Sequence, residues 1–582
     1  MREPSTLPTG AAPSPEHKRE LTVRAVVVAI FVSALVGASY PTVVLRIGYG
    51  PNVSIIAAFL GYIALTLIGI VSGIRGTRWE NNMVQAAGTA AGQSGFMVVV
   101  LAAMDMLSQR GLLSLELSPM QIFTWLSVAG LLGVLLAVPL RKHYVDEENL
   151  TFADGTAAGE TMLVLDQGRK EAGPRLAALG IGGVVSAAFA ILRDAMRAIP
   201  GNLDFTFLLS NASAVRVGTE LGVLSLGAGL LVGLRIGVSM MIGMILAWVI
   251  APGPLVANGI VPDGSFNTIL QRWIMWPATG LMVAGGLTAL VLKWPLIMRT
   301  FRELRAKDVK TDATDFPIKW VIWGSIGLSI LLAVVQHVSL DFPIWLTVVS
   351  IGLSIILMLV GIRVLGETNW APISAMANVM QAVFAALAPG SISVNMIGSG
   401  MSGTVAANGE HLMQAYRSGK IVGSTNRNMT YLQLIGVPIG AAAVAIAYPA
   451  VKARYGIGGE GLTSPISVKW AGFAELLGEG WGALAPSALQ ALVVALVLGI
   501  AITLAESNRT LAKWMPSPTA VGLGMLIPGY AVVPMFVGGL VQWLWARSSP
   551  KTEATYNTPL ASGFITGEAI VVLFIALYAA FG

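Results

Sequence analysis

The chain is a succession of apolar segments, most of them about 20 residues long, separated by short polar turns. About 20 helical residues cross the hydrocarbon core of a bilayer. Backbone N–H and C=O groups find no water there, so a spanning segment must be a helix or a strand of a closed barrel. Barrel strands alternate over about 10 residues, whereas this sequence holds unbroken apolar runs. The reading is an all-α polytopic membrane protein with about sixteen spans. They fall near 25–45, 53–72, 82–104, 119–139, 175–192, 217–234, 236–250 and 274–292. A second set falls near 320–336, 343–361, 370–388, 391–409, 431–449, 485–504, 520–545 and 559–581.

Charge agrees with this. Only 11% of the 582 residues are charged, against about 25% in a soluble protein. So few charges cannot coat several soluble domains, which excludes a soluble multidomain enzyme, a disordered chain and a nucleic-acid binder. Cysteine is absent, and His17, His143, His337 and His411 are scattered. Disulfides, thiolate chemistry, a metal site and a cofactor are therefore not expected. An intramembrane lipid enzyme would need paired Asp-rich motifs or a Ser/His constellation, and the spans hold few aspartates and no such cluster. The chain is not read as an enzyme. A passive channel is the other rival class.

Residues 1–20 are polar and read as a cytosolic tail rather than a signal peptide. The most basic loop, 299–319, divides the rest into 21–298 and 320–582, with about eight spans in each half. Lys and Arg concentrate in cytoplasmic loops. Arg75, Arg78, Arg141, Lys142, Arg363, Arg417 and Lys420 then place both termini in the cytoplasm, while Lys452, Arg454, Arg547 and Lys551 count against it. Segment 217–250 also reads as one broken helix, but two spans are kept because they leave the basic loop inside.

Three internal matches occur in order. Gly73-Ile74-Arg75 with Glu80 resembles Gly361-Ile362-Arg363 with Glu367, and Gly155–Glu160 resembles Gly403–Glu410. Gly229–Trp248 resembles Gly524–Trp543. Together they argue for two parallel eight-helix repeats, an even number of spans giving halves of like orientation.

Polar groups inside apolar spans are costly, about 2.5–3.5 kcal/mol for a charge, and mark candidate sites. Asn81, Gln85, Thr89 and Gln93 recur every four residues on one helix face, beside Asn82 and a glycine row at Gly88, Gly92 and Gly95. The glycines and the polar row fit either tight helix packing or the wall of a pathway that binds amide groups. Asn395, Ser399, Ser402, Ala406 and Glu410 form a second stripe, with Gln414 one turn beyond. Phe152–Leu165, which carries Thr156 and Glu160, reads as a re-entrant segment or a cytosolic loop. Tyr530 lies beside Pro528 and Pro534, where proline breaks the helical hydrogen-bond ladder. Glu568 has no basic residue near it on its own helix, so any partner comes from another. Asn369 completes the substrate candidates. Glu80, Glu160, Glu410 and Glu568 are the candidate proton carriers.

These stretches also resemble the oligopeptide transporter family, which includes the yellow-stripe-like metal-chelate transporters. The resemblance rests on Glu80-Asn81-Asn82-Met83-Val84-Gln85, Phe152-Ala153-Asp154-Gly155-Thr156-Ala157 and Gly233-Leu234-Arg235-Ile236-Gly237-Val238-Ser239. It continues through Gly403–Gly423 and Ala561–Glu568. The asparagine-proline-glycine and lysine-isoleucine-proline-proline-arginine motifs of the eukaryotic peptide branch are absent, and the compact loops resemble bacterial members. The resemblance implies a secondary active importer that couples protons to the uptake of small oligopeptides or peptide-like compounds by alternating access. The alternative is import of metal chelates or siderophore complexes. The implied partners are the small solute, protons and membrane lipid, with a homodimer compatible. The implied place is a bacterial inner membrane.

Overall fold

The structure is a computed structural model. It describes residues 19–47, 53–171, 173–292, 314–369, 371, 373–457, 464–478, 485–506, 508, 510–512 and 514–581. Most of the basic loop expected to divide the halves, and most of the N-terminal tail, lie outside these residues.

The chain is helical almost throughout. The first elements are α1 (Val23–Ile47), α2 (Val53–Ser72), α3 (Arg78–Phe96), α4 (Val98–Gln109), α5 (Pro119–Ala137), α6 (Ala153–Glu171) and α7 (Gly173–Ala190). A hairpin of β1 (Asn202–Asp204) and β2 (Gly218–Glu220) encloses the short α8 (Ala212–Val215). Then come α9 (Leu224–Val232), α10 (Leu234–Met244), α11 (Pro252–Ala257), α12 (Phe266–Ile269) and α13 (Met275–Leu292). After the basic loop follow α14 (Ile318–Leu340), α15 (Ile344–Thr368), α16 (Ile373–Leu387), α17 (Ile392–Val422) and α18 (Asn426–Tyr455). The last are α19 (Pro465–Gly478), α20 (Pro486–Glu506), α21 (Pro518–Leu526), α22 (Gly529–Ser548) and α23 (Pro550–Phe581).

Among the described residues, 11 helices are long and apolar enough to cross a membrane. Of the other expected spans, 274–292, 391–409 and 559–581 fall in α13, α17 and α23, and 370–388 in the shorter α16. The expected span 217–234 is corrected: its start is strand β2, and only Leu224–Val232 is helical. Phe152–Leu165 is the start of the continuous 19-residue helix α6.

Local chemistry sets the ends. Thr77 and Glu80 form a capping box on α3, Ser118 and Gln121 another on α5, and Gly423 ends α17 in the left-handed region. α3 and α17 are polar for long helices, yet Glu80–Gly95 and most of α17 are buried. They form the centre. α14 carries lipid-type side chains outward, with Trp320, Trp323 and Val338 exposed.

The third internal match has a distinct geometry. Gly233 (φ +89°) breaks α9 from α10, and Ile527-Pro528 at the corresponding place breaks α21 from α22. The two broken helices touch reciprocally. Gly229 lies on the carbonyl of Met535 and Gly524 on that of Met240, while Gly243 lies on Val521 and Gly538 on Leu226. A Cβ at any of these glycines would strike backbone. The first match has no such likeness: Gly73 ends α2 at φ +69°, whereas Gly361 is interior to α15.

Candidate functional site

The polar row of α3 is a hydrogen-bonded ladder. Asn82 Nδ2 donates to Gln85 Oε1 and to Ser418 Oγ, both at 3.0 Å, and Ser418 donates to Gln85 Oε1 at 3.0 Å. Gln85 Nε2 donates to Thr89 Oγ1 at 3.1 Å. Ser418 belongs to α17, so this network joins the two central helices. The glycine row of α3 packs instead: Gly88 meets Ala57, Gly92 meets Val53 and Gly95 meets Tyr40.

α6 docks on the same part of α17. The Gly155 N–H donates to Gln414 Oε1 at 2.5 Å, and Gly155 and Gly159 leave no room for side chains against Gln414 and Ser418. Arg417 Nε donates to Thr156 Oγ1 at 3.1 Å. Asn369, in the left-handed region at the end of α15, accepts from the Asp154 N–H and donates to its carboxylate at 2.6 Å. The structure therefore gathers Asn82, Gln85, Thr89, Thr156, Asn369 and Gln414 where α3, α6, α15 and α17 meet.

Four candidates lie elsewhere. Asn395 donates to the Gln381 carbonyl at 2.8 Å, and Ser399 bonds its own helix; they lie about 28 Å and about 22 Å along α17 from Gln414 at 1.5 Å per residue. Tyr530 donates to Asp204 of the β hairpin. Asn81 points away from the ladder and lines a cavity of about 440 Å³ between α2, α3 and α6, with Tyr62, Thr66, Arg75, Arg78 and Asp166. Its side chain makes no hydrogen bond among the described residues, and Oδ1 is buried without a partner.

The four carboxylates differ sharply. Glu80 holds Arg24 through 2.7 Å contacts, accepts from Thr22 and closes the α3 capping box. Glu160 pairs with Arg175. Glu568 pairs with Arg193 at 2.8 Å and accepts from the Leu224 N–H, so its partner does come from other elements. Glu410 is 1% exposed, has no ion pair among the described residues, and its Oε2 lacks any hydrogen bond. It stands against Gly361 of α15, where any side chain would displace it. Asp105 and Glu506 are paired with Lys452 and Arg235 at 2.7 Å. His411 is partly buried, its Nδ1 3.0 Å from the Ala407 carbonyl.

Ser418, Asp154 and the arginines 24, 175 and 193 were not singled out by sequence. Ser418 had a signal: Glu410, Gln414 and Ser418 continue one four-residue stripe. Among the described residues no group of three or more His, Asp or Glu side chains is arranged to hold a metal ion.

Comparison with known proteins gives this arrangement a family. The OPT oligopeptide transporter protein family matches residues 20–579. A probable metal-nicotianamine transporter of Oryza sativa subsp. japonica is 23% identical over 96% of this chain and 86% of its own. A putative oligopeptide transporter of Haemophilus influenzae is 23% identical, covering 85% of this chain and 86% of its own. One of Saccharomyces cerevisiae is 24% identical over 60% of this chain and 58% of its own. The match covers both central helices, all four carboxylates and the amide network, and the chain belongs to the OPT oligopeptide transporter family.

Proposed function

We propose that this transporter imports small oligopeptides or peptide-like compounds with protons, and that Glu410 carries the proton. One observation carries this reading: of the four candidate carboxylates, only Glu410 is buried without a cation among the described residues. An unpaired carboxylate out of water is costly to leave ionised, and a proton is the smallest way to neutralise it. Glu80, Glu160 and Glu568 each hold an arginine and serve structure.

Glu410 lies one turn from Gln414 and two from Ser418, so its charge state acts on the helix that anchors the amide network. Asn82, Gln85, Thr89 and Gln414 offer donors and acceptors matched to peptide groups. Thr156 and Asn369 extend this polar lining, whereas Asn81 in its cavity, Asn395 and Ser399 farther along α17, and Tyr530 at the hairpin stand apart as further solute contacts. Gathering arginines at the Arg24, Arg75 and Arg78 end supports a cytoplasmic placing of that end and of both termini in a bacterial inner membrane.

A second reading, import of metal chelates, is favoured by the names and coverage of the rice relatives. The same amide and hydroxyl groups fit a chelator's carboxylates.

The test is uptake into proteoliposomes under an imposed proton gradient, with labelled trialanine, glutathione and an iron chelate as separate probes. Glu410→Gln is expected to abolish uphill accumulation while leaving counterflow exchange measurable. Uphill accumulation at the wild-type level by that variant refutes the proton assignment. Accumulation of the chelate alone selects the second reading.

A further inference from the structure

A second polar cluster lies near the opposite end of the molecule. The Ser464 N–H, just before α19, bonds the Leu45 carbonyl at 2.9 Å, whereas Arg24 of α1 meets Glu80. Arg24 and Leu45 are about 32 Å apart along α1 at 1.5 Å per residue. Lys469 is one turn into α19.

There, two cations converge on one ring. The Arg216 guanidinium lies 4.8 Å from the Phe266 centroid and Lys469 Nζ 5.6 Å from it. Trp248 stacks on Phe266 at 4.1 Å and 22°, covering one face. Neither cation makes an ion pair or a side-chain hydrogen bond among the described residues. Cation–π contact is a weak attraction and does not neutralise charge. Two like charges sharing a ring repel. Burial, and then the charge of Arg216, pull the Lys469 ammonium down to about 8.

The backbone beside these cations meets a further source of positive potential. Arg216 caps the C-terminus of α8 in the left-handed region at φ +57°, a conformation common at helix ends. The backbone of Arg216 and Val217 also abuts Gly529, the first residue of α22. The 20-residue α22 begins at the Pro528 break with no side-chain cap. Free N–H groups at such a half-helix start attract anions. Asp204, which accepts from Tyr530, and Asp263, which accepts from Ser265 and Thr268, form no ion pair with either cation.

We propose that Arg216 and Lys469, beside Phe266 and the uncapped start of α22, form a binding site for a carboxylate-bearing solute, separate from the amide network around Ser418. This rests on the import reading in taking the carboxylate to be that of the transported solute.

The test is protection of Lys469 from acetylation in the purified full-length protein, read by mass spectrometry. The probes are trialanine, its C-terminal amide, and citrate as a carboxylate without peptide groups. Trialanine and citrate, each at about ten times its dissociation constant, are expected to slow acetylation of Lys469 about tenfold, in proportion to the occupied fraction. The amide is expected to leave it unchanged. In Arg216→Gln, with unchanged melting temperature, the protection is expected to disappear. Equal acetylation with and without both carboxylates overturns the site, whatever the uptake assay gives. Protection by trialanine that is not accumulated in proteoliposomes upholds the site and refutes peptide import.

Discussion

Replacing Gly361 with alanine tests whether the seat of Glu410 matters. A methyl group built there would lie 2.7 Å from Cδ of Glu410 and 3.4 Å from Cγ. Ordinary contact begins near 3.4 Å, so the carboxyl carbon must retreat by at least 0.7 Å (3.4 − 2.7). Overpacking of this kind costs about 1–3 kcal/mol. Gly361 is interior to α15, and Gly to Ala there returns about 1 kcal/mol of helix propensity. The net penalty on this conformation is about 0–2 kcal/mol, or up to about thirtyfold in its population. Thermal stability should therefore change little, while proton-driven accumulation of trialanine falls about tenfold. The assay compares initial uphill uptake with counterflow exchange in the same proteoliposomes. Uphill uptake unchanged in Gly361→Ala, at matched expression and melting temperature, refutes the idea that the carboxylate works from this position.

Four further outcomes follow from the contacts. Glu80→Ala leaves Arg24 without its buried partner and should cost about 3 kcal/mol, seen as a lower melting temperature. Glu568→Gln should also lower the melting temperature through Arg193 yet retain uphill uptake, and loss of coupling without loss of stability would contradict its structural role. Ser418→Ala removes the bridge between α3 and α17, which is worth about 1 kcal/mol, and should weaken apparent affinity for trialanine about fivefold. Gly229→Ala and Gly524→Ala each drive a methyl into backbone and should each destabilise by about 2 kcal/mol. A clear inequality between them would refute the equivalence of the two breaks.

Periodicity made much of this legible. Segments of about 20 apolar residues became helices because lipid leaves no other way to satisfy the backbone. The four-residue spacing of Asn81, Gln85 and Thr89 placed amides on one helix. It did not say that Asn81 would turn toward α2 while Asn82 reached Ser418, because a step of one residue rotates a side chain by about 100°. Ion pairs were legible only as needs. Glu568 lacked a cation on its own helix, but Arg193 is supplied by the packing of α7, which no period encodes. The pair of Glu80 with Arg24 spans 56 residues. The hairpin at β1 and β2 was missed because its apolar residues run on into α9, so hydropathy alone extended the span. The cation pair at Phe266 joins three segments far apart in sequence and had no local signature.

The reciprocal glycine contacts of the broken helices carry a consequence for origin. Residue i on one segment meets the carbonyl that corresponds to residue j on the other, and the reverse holds at every pair. That is the rule of an isologous interface between two identical subunits. A half-length ancestor with one such helix would have paired with its own copy through this surface, and fusion of two genes would retain it. Each glycine then persists because its neighbour is main chain, which no substitution can trim.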